Sequence, residues 1–149
     1  MNERRYWIGV VAKDHVDHAT ARGFAQVNHG KAGPLERMRA GDGFAYYSPR
    51  ESQEGAPLQA FTAIGRVRSG SVYQAEGEPE FRPFRIDVEF LASAPAPVKP
   101  LIPELTFIRS KTHWGAAFRF GIVRIPPTDF ARIAAAMGRS FEADFPAAS

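Results

Sequence analysis

Residues 41–70 read "GDGFAYYSPRESQEGAPLQAFTAIGRVRSG". The segment opens on a glycine–aspartate turn, runs through aromatic and small residues to Pro49, breaks in the polar stretch 51–57, and resumes as a long β-rich run. Two extended segments joined by a short polar loop predict an antiparallel pair. Strict alternation on the second run puts Phe61, Ala63, Gly65 and Val67 on one side and Thr62, Ile64, Arg66 and Arg68 on the other. On the first run Tyr46 and Tyr47 must face opposite ways, which assigns at least one of them to the interior.

To the N-terminal side, "RYWIGVVA" (5–12) is apolar and β-prone, a buried first strand. Asp14 stands where an N-cap is wanted, ahead of a short helix, "HVDHATAR", that stops at Gly23 in an expected left-handed cap. "GFAQVNHGKAG" (23–33) has no usable period and reads as a loop, and Pro34 suits the first turn of a second short helix, "PLERMR". To the C-terminal side, "SVYQAE" continues the ribbon past a bend at Gly70. "FRPFRIDVEFLA" then alternates, with Phe84, Ile86, Val88 and Phe90 inward and Arg85, Asp87 and Glu89 outward. Four prolines from Pro95 to Pro103 exclude a continuous strand or helix and predict a connector laid over the body, with one helical turn near Leu105. A final strand, "FRFGIVRI", leads into a terminal helix, "PPTDFARIAAAMG", with Phe130, Ile133, Ala134 and Met137 on one face.

Five or six mostly antiparallel strands joined by turns exclude a doubly wound parallel sheet. The expected fold is a single α+β domain over residues 1–149, a small barrel or strongly curved sheet with flanking short helices. At 149 residues, 44% hydrophobic and 23% charged, the chain can bury a core, and disorder is excluded. The absence of cysteine removes disulfides, thiolate catalysis and Cys-ligated zinc, and fits a reducing compartment. The apolar run Ile8–Ala12 is too short for a signal peptide, and no stretch approaches the roughly 20 apolar residues of a membrane span. A cytoplasmic protein without a membrane partner is expected.

The net charge of +3 is unevenly spread: eight basic and five acidic residues in 1–50, four and seven in 51–98, seven and four in 99–149. Between Lys99 and Arg124 five basic residues face the single acid Glu104, and His113 and Trp114 lie among them. Basic residues interleaved with aromatics suit phosphates and bases, although a solvated basic face has the same composition.

Catalytic signals are poor. "DHVDH" sets His15 and His18 at helical spacing, as two metal ligands would be, but no third ligand is specified and a capped surface helix explains the same letters. Ser48 lacks the glycine-flanked elbow of a hydrolase nucleophile, and "GKAGPLERMRAGDG" lacks phosphate-loop order. Binding signals are better. Gln26 and Asn28 carry amides that match base edges; Phe24, Tyr46, Tyr47, Trp114 and Phe118 offer ring faces; Lys31, Arg109, Lys111 and Arg119 suit phosphates. Phe24 and Phe118 serve equally well as core plugs.

In this order, "YWIGVVAKDHV", "GFAQVNHGK", "PLERMRAGDGFAYYSP" and "KTHWGAAFRFGIVRIPPTDF" resemble the short bacterial EVE domain proteins of the PUA-like superfamily, over about residues 5–137. The resemblance implies a PUA-like pseudo-barrel and a non-enzymatic reader without cofactor or metal. Such a reader turns a modified base, a modified cytosine in DNA, into an aromatic-lined pocket. It implies a base pocket made of Ala12, Lys13, Phe24, Gln26, Asn28, Tyr47, Ser48 and Trp114. Trp114 and Phe24 would be its stacking walls and Gln26, Asn28 and Ser48 its edge readers. His29, Lys31, Arg109, Lys111 and Arg119 would meet the backbone. With no nuclease in this sequence, the reader would act beside a separate effector such as a nuclease. Two alternatives stand beside it: an RNA-binding module of PUA type tied to translation or RNA modification, and a hydrolase or nuclease like those among the related ASCH domains.

Overall fold

The computed structural model describes residues 4–27, 32–33, 35–75 and 83–146. Strand β1 (Tyr6–Val10) leads into helix α1 (Lys13–Arg22) and the two-residue strand β2 (Phe24–Ala25). Strands β3 (Gly43–Arg50), β4 (Pro57–Val67), β5 (Tyr73–Gln74), β6 (Phe84–Phe90) and β7 (Ala96–Pro97) follow, then β8 (Ile122–Ile125), helix α2 (Pro127–Ala136) and the short helix α3 (Phe141–Asp144). They form one mixed sheet in the order β2-β6-β4-β3-β1-β8, with β5 beside β6 and β7 beside β4. The sheet curls into a half-barrel with short helices around it, an α+β fold as the sequence predicts.

One pairing departs from that expectation: β1 and β3 run parallel, Tyr6 opposite Gly43 and Val10 opposite Tyr47. Parallel neighbours need a crossover, and α1, β2 and the 310 turn Leu35–Arg37 lie within it. That turn stands where "PLERMR" predicts a helix, and it ends at Arg37, two residues short of Arg39. Phe24–Ala25, expected as loop, pairs antiparallel with β6. Asp14 is not the cap of α1: the helix starts two residues earlier than expected, at Lys13, and Ala12 is its N-cap, without a side-chain bond. The Asp14 N–H instead donates to the Glu51 carbonyl, 3.0 Å away, tying the helix start to the loop after β3. Helix α3 is too short to give a periodic signal; Ser140 caps it by accepting from the Ala143 N–H at 3.2 Å.

The expected alternation along β4 also breaks. Tyr46 is opposite Ala63 while Tyr47 is opposite Phe61, so Thr62 is an extra residue, a β-bulge. Phe61 therefore shares its face with Ile64, and Ala63 shares the other with Val67. Gly65 remains tied to this strand for a steric reason: a Cβ there would collide with the Glu89 carbonyl oxygen on β6.

Each face of the sheet buries its own cluster. Tyr6, Ile8, Tyr47, Phe61 and Ile64 pack with the connector residues Leu101 and Leu105 and with Phe130, Ile133 and Met137 of α2, and Phe145 beyond α3 joins them. On the other face Trp7, Phe44, Tyr46, Val67, Ile86 and Val88 pack with Val16 and Ala19 of α1, Leu35 and Met38. Each such side chain contributes about 1.5–3 kcal/mol when fully removed from water. Both tyrosines of the opening stretch are interior, one per face.

Buried polar groups hold the strand starts. Asp42, 1% exposed, accepts from the Arg5 N–H at 3.1 Å, the Trp7 indole N–H at 3.0 Å and the Arg39 N–H at 2.9 Å. Its own carbonyl accepts from the Val67 N–H at 2.8 Å. One aspartate thus joins β1, β3 and β4. Likewise Asp129 takes the Thr106 hydroxyl and the Phe107 N–H, fastening the proline connector to α2. Among the described residues no helix is long and apolar enough to cross a membrane.

Candidate functional site

Because β1 and β3 run parallel, both deliver the chain at the same edge, and there the surface opens into a cavity of about 800 Å³. The exit of β1 (Val10, Val11, Ala12) and the first turns of α1 (Asp14, His15, His18) form one wall. The end of β3 contributes Pro49 and Arg50, the segment after β2 contributes Gln26 and Val27, and Phe118, Arg119 and Gly121 close the side nearest β8. Gly121 sits at φ 71°, a left-handed conformation that glycine adopts freely, and its carbonyl accepts from the Val10 N–H at 2.8 Å. That bond fixes the Phe118–Gly121 turn against the end of β1.

Gln26 is 6% exposed and doubly held. Its backbone N–H donates to the Tyr46 hydroxyl at 2.9 Å, and its side-chain oxygen accepts from Arg85 Nε at 2.8 Å. Among the described residues its amide nitrogen makes no hydrogen bond. The Arg85 guanidinium also lies 3.8 Å from the centroid of the Phe24 ring. Burial pushes the Tyr46 phenol well above its ordinary range. Burial lowers the pKa of His15, with neighbouring His18 acting in the same direction against the Gln26 backbone, so the imidazole favours its neutral form.

Phe118 is the phenyl ring among the residues that line the cavity, and at 7% exposure most of it belongs to the core. It stacks on Tyr47 at 4.0 Å between ring centroids, and the edges of Phe107 and Trp114 close on it at 5.7 and 6.3 Å. Burial raises the Tyr47 phenol to about 12, so it stays neutral. Arg50 donates to the Gly55 carbonyl at 2.9 Å, whereas Arg119 has no hydrogen bond or ion pair from its side chain among the described residues. Two guanidinium groups at an aromatic-floored cavity can meet phosphate oxygens while a planar ring occupies the interior.

Of the residues expected in a base pocket, Ala12 and Gln26 line this cavity, and so does Arg119, expected to meet the backbone. Asn28, His29 and Lys31 lie outside the described residues, directly after Val27 in the chain. Lys13 opens α1 with its ammonium 2.9 Å from Asp17. Phe24 is 2% exposed beneath Arg85, with no open face for a base, and Tyr47 and Ser48 are equally interior; the Ser48 hydroxyl is 2.8 Å from that of Thr62. Trp114 is half-buried and reaches the cavity only through Phe118. Lys111 donates to the carbonyls of Ile102, Leu105 and Ile108 at 2.9–3.2 Å, closing the connector's turns. Arg109 is exposed and does not line the cavity. Sequence reasoning overlooked Arg50 and weighed His15 and His18 only as metal ligands. The signal that could have found them was the parallel pairing, which brings "VVAKDH" and "SPR" together. Among the described residues no three His, Asp or Glu side chains are placed to hold a metal.

Residues 5–136 match the family model for the EVE domain. Over 136 residues the chain is 51% identical to the UPF0310 protein msl3206 of Mesorhizobium japonicum, covering 89% of this chain and 91% of that one. Over 134 residues it is 42% identical to the UPF0310 protein YdcG of Bacillus subtilis, covering 89% and 92%. Among solved structures it resembles protein Atu2648 of Agrobacterium tumefaciens, with a TM-score of 0.56 at 14% identity over 91% of this chain and 94% of that one. Rpa0253 of Rhodopseudomonas palustris gives 0.56 at 17%, over 90% and 93%. At these identities the structural likeness speaks for the fold alone.

Proposed function

The chain belongs to the EVE domain family, and from that premise we propose that it is a non-catalytic nucleic-acid-binding module that reads a modified base. The base, a modified cytosine in DNA, is turned out of its stack into the cavity at the ends of β1 and β3. The observation that carries this reading is the cavity itself. Its volume of about 800 Å³ lies within the ~300–1,000 Å³ usual for small-ligand sites, and its walls combine an aromatic ring, an amide and two arginines.

Turning out a base costs a few kcal/mol of stacking. Contact with Phe118 and a hydrogen bond from the Gln26 amide offset that cost, while Arg50 and Arg119 hold the flanking phosphates. Trp114 acts by bracing Phe118 rather than by touching the base. A methyl group brings only about 0.8 kcal/mol of burial, roughly a fourfold preference, so the walls must also discriminate by shape. The protein reads, in the cytoplasm, and a separate effector such as a nuclease acts.

The test is a titration of matched oligonucleotides, plain and with 5-methyl- or 5-hydroxymethylcytosine, with structured RNA as competitor. Tighter binding to one modified DNA is expected, with the preference reduced in Trp114→Ala. Equal affinity for plain and modified DNA sinks the reading, and displacement by RNA alone replaces it with an RNA-binding one.

A further inference from the structure

Phe120 stands between two residues that line the cavity, Arg119 and Gly121, and is itself 73% exposed. The next most exposed large hydrophobic residue among those described is Tyr73 at 40%, and its hydroxyl is engaged by Asp87 at 2.9 Å. Phe120 has no ring contact among the described residues, although Phe118, two residues earlier, packs against four aromatic rings. Its backbone is nevertheless firmly placed. The Ile122 N–H donates to the Phe120 carbonyl at 2.7 Å, the Val10 N–H to the Gly121 carbonyl at 2.8 Å, and the Arg119 N–H to the Ala116 carbonyl at 3.3 Å. A turn tied by backbone hydrogen bonds therefore presents one large apolar ring to water between two residues that line the cavity, beside an arginine whose side chain has no hydrogen bond or ion pair among the described residues.

We propose that Phe120 is the residue that fills the base stack when a base leaves it. The inference rests on the base-reading function proposed above and deepens it. A turned-out base leaves a gap between its two former neighbours, and an aromatic side chain entering that gap recovers part of the lost stacking. Placement meets this need: Arg119 lies at the phosphate, the cavity beyond it takes the base, and Phe120 stands next along the chain at the mouth. The ring contributes to holding the opened nucleic acid and not to recognising which base was removed. Affinity and selectivity therefore separate at this residue.

The experiment compares wild type, Phe120→Ala and Phe120→Trp on plain and modified duplexes, with thermal melting as a control. Because the side chain is exposed, melting should be unchanged in all three. Phe120→Ala should weaken binding to the modified duplex by roughly 5- to 150-fold, the range of one lost base–aromatic stack, while the modified-to-plain ratio persists. Phe120→Trp should restore affinity, with fluorescence quenching by DNA greater than that of the wild type. Unchanged affinity in Phe120→Ala, with the wild type still preferring modified DNA, overturns this inference and leaves the base-reading function intact. A wild type without that preference overturns the function first.

Discussion

The two parallel strands β1 and β3 finish differently at their two ends. At the starts the side chains are tied to one another: the buried Asp42 carboxylate takes three N–H donors, the Arg37 guanidinium lies 5.3 Å from the Trp7 ring centroid, and Tyr6 and Phe130 pack at 4.9 Å. At the finishes, the same strands open onto a cavity with an amide, a neutral-leaning histidine and an arginine that has no side-chain partner among the described residues. One end fixes the geometry, and the other uses it. Substitutions should therefore divide into those that unfold the protein and those that silence it.

The largest effect is expected at the closed end. Asp42→Ala leaves the Trp7 indole and two backbone N–H groups without an acceptor, and should cost about 3 kcal/mol or more in denaturant titration. A loss under about 1 kcal/mol would break the contrast. Next comes Gly43→Ala: its Cβ would lie 2.6 Å from a Tyr6 ring carbon and 2.8 Å from one of Phe130, and overpacking of that kind costs about 1–3 kcal/mol.

At the open end the sign reverses. Arg119→Ala should change stability by no more than about 0.5 kcal/mol. It should weaken oligonucleotide binding on every sequence and lower the salt slope of affinity by about 1. If Arg119→Ala unfolds the protein, the division fails. The smallest effect is that of acid on His15. Its folded pKa is lowered, so below the unfolded value near 6.5 the unfolded chain takes up the proton more readily. Stability should be full above that value and decline as pH falls toward the folded pKa. His15→Gln should flatten that part of the curve.

How legible the molecule was follows the same division. Local signals carried through: β1, β3, β4, β6, α1 and α2 lie where alternation and helical spacing put them, and Gly23 closes α1 at φ 77°. What depends on distant partners did not. The bulge at Thr62 exists because β3 has no residue to set against it, which nothing in β4 announces. Asp42 reads as turn chemistry in "GDG", since its donors come from Arg5, Trp7 and Arg39. Phe24 and Tyr47 were candidates for stacking because a sequence does not tell an exposed ring from one covered by Arg85 or Phe118. The cavity needed the parallel register, and only a crossover between segments more than 30 residues apart creates it.

The position of β1 carries a consequence for biosynthesis. It is made first, yet its edge partner β8 begins at Ile122 and the Phe130 ring that covers Tyr6 comes later still. At about 5–20 residues per second, the N-terminal strand waits on the order of ten seconds for these partners. Meanwhile β3 and β4 can already pair as a local hairpin. The Phe118–Gly121 wall also emerges after β1 and β3, so the cavity is complete only once all three segments have been made.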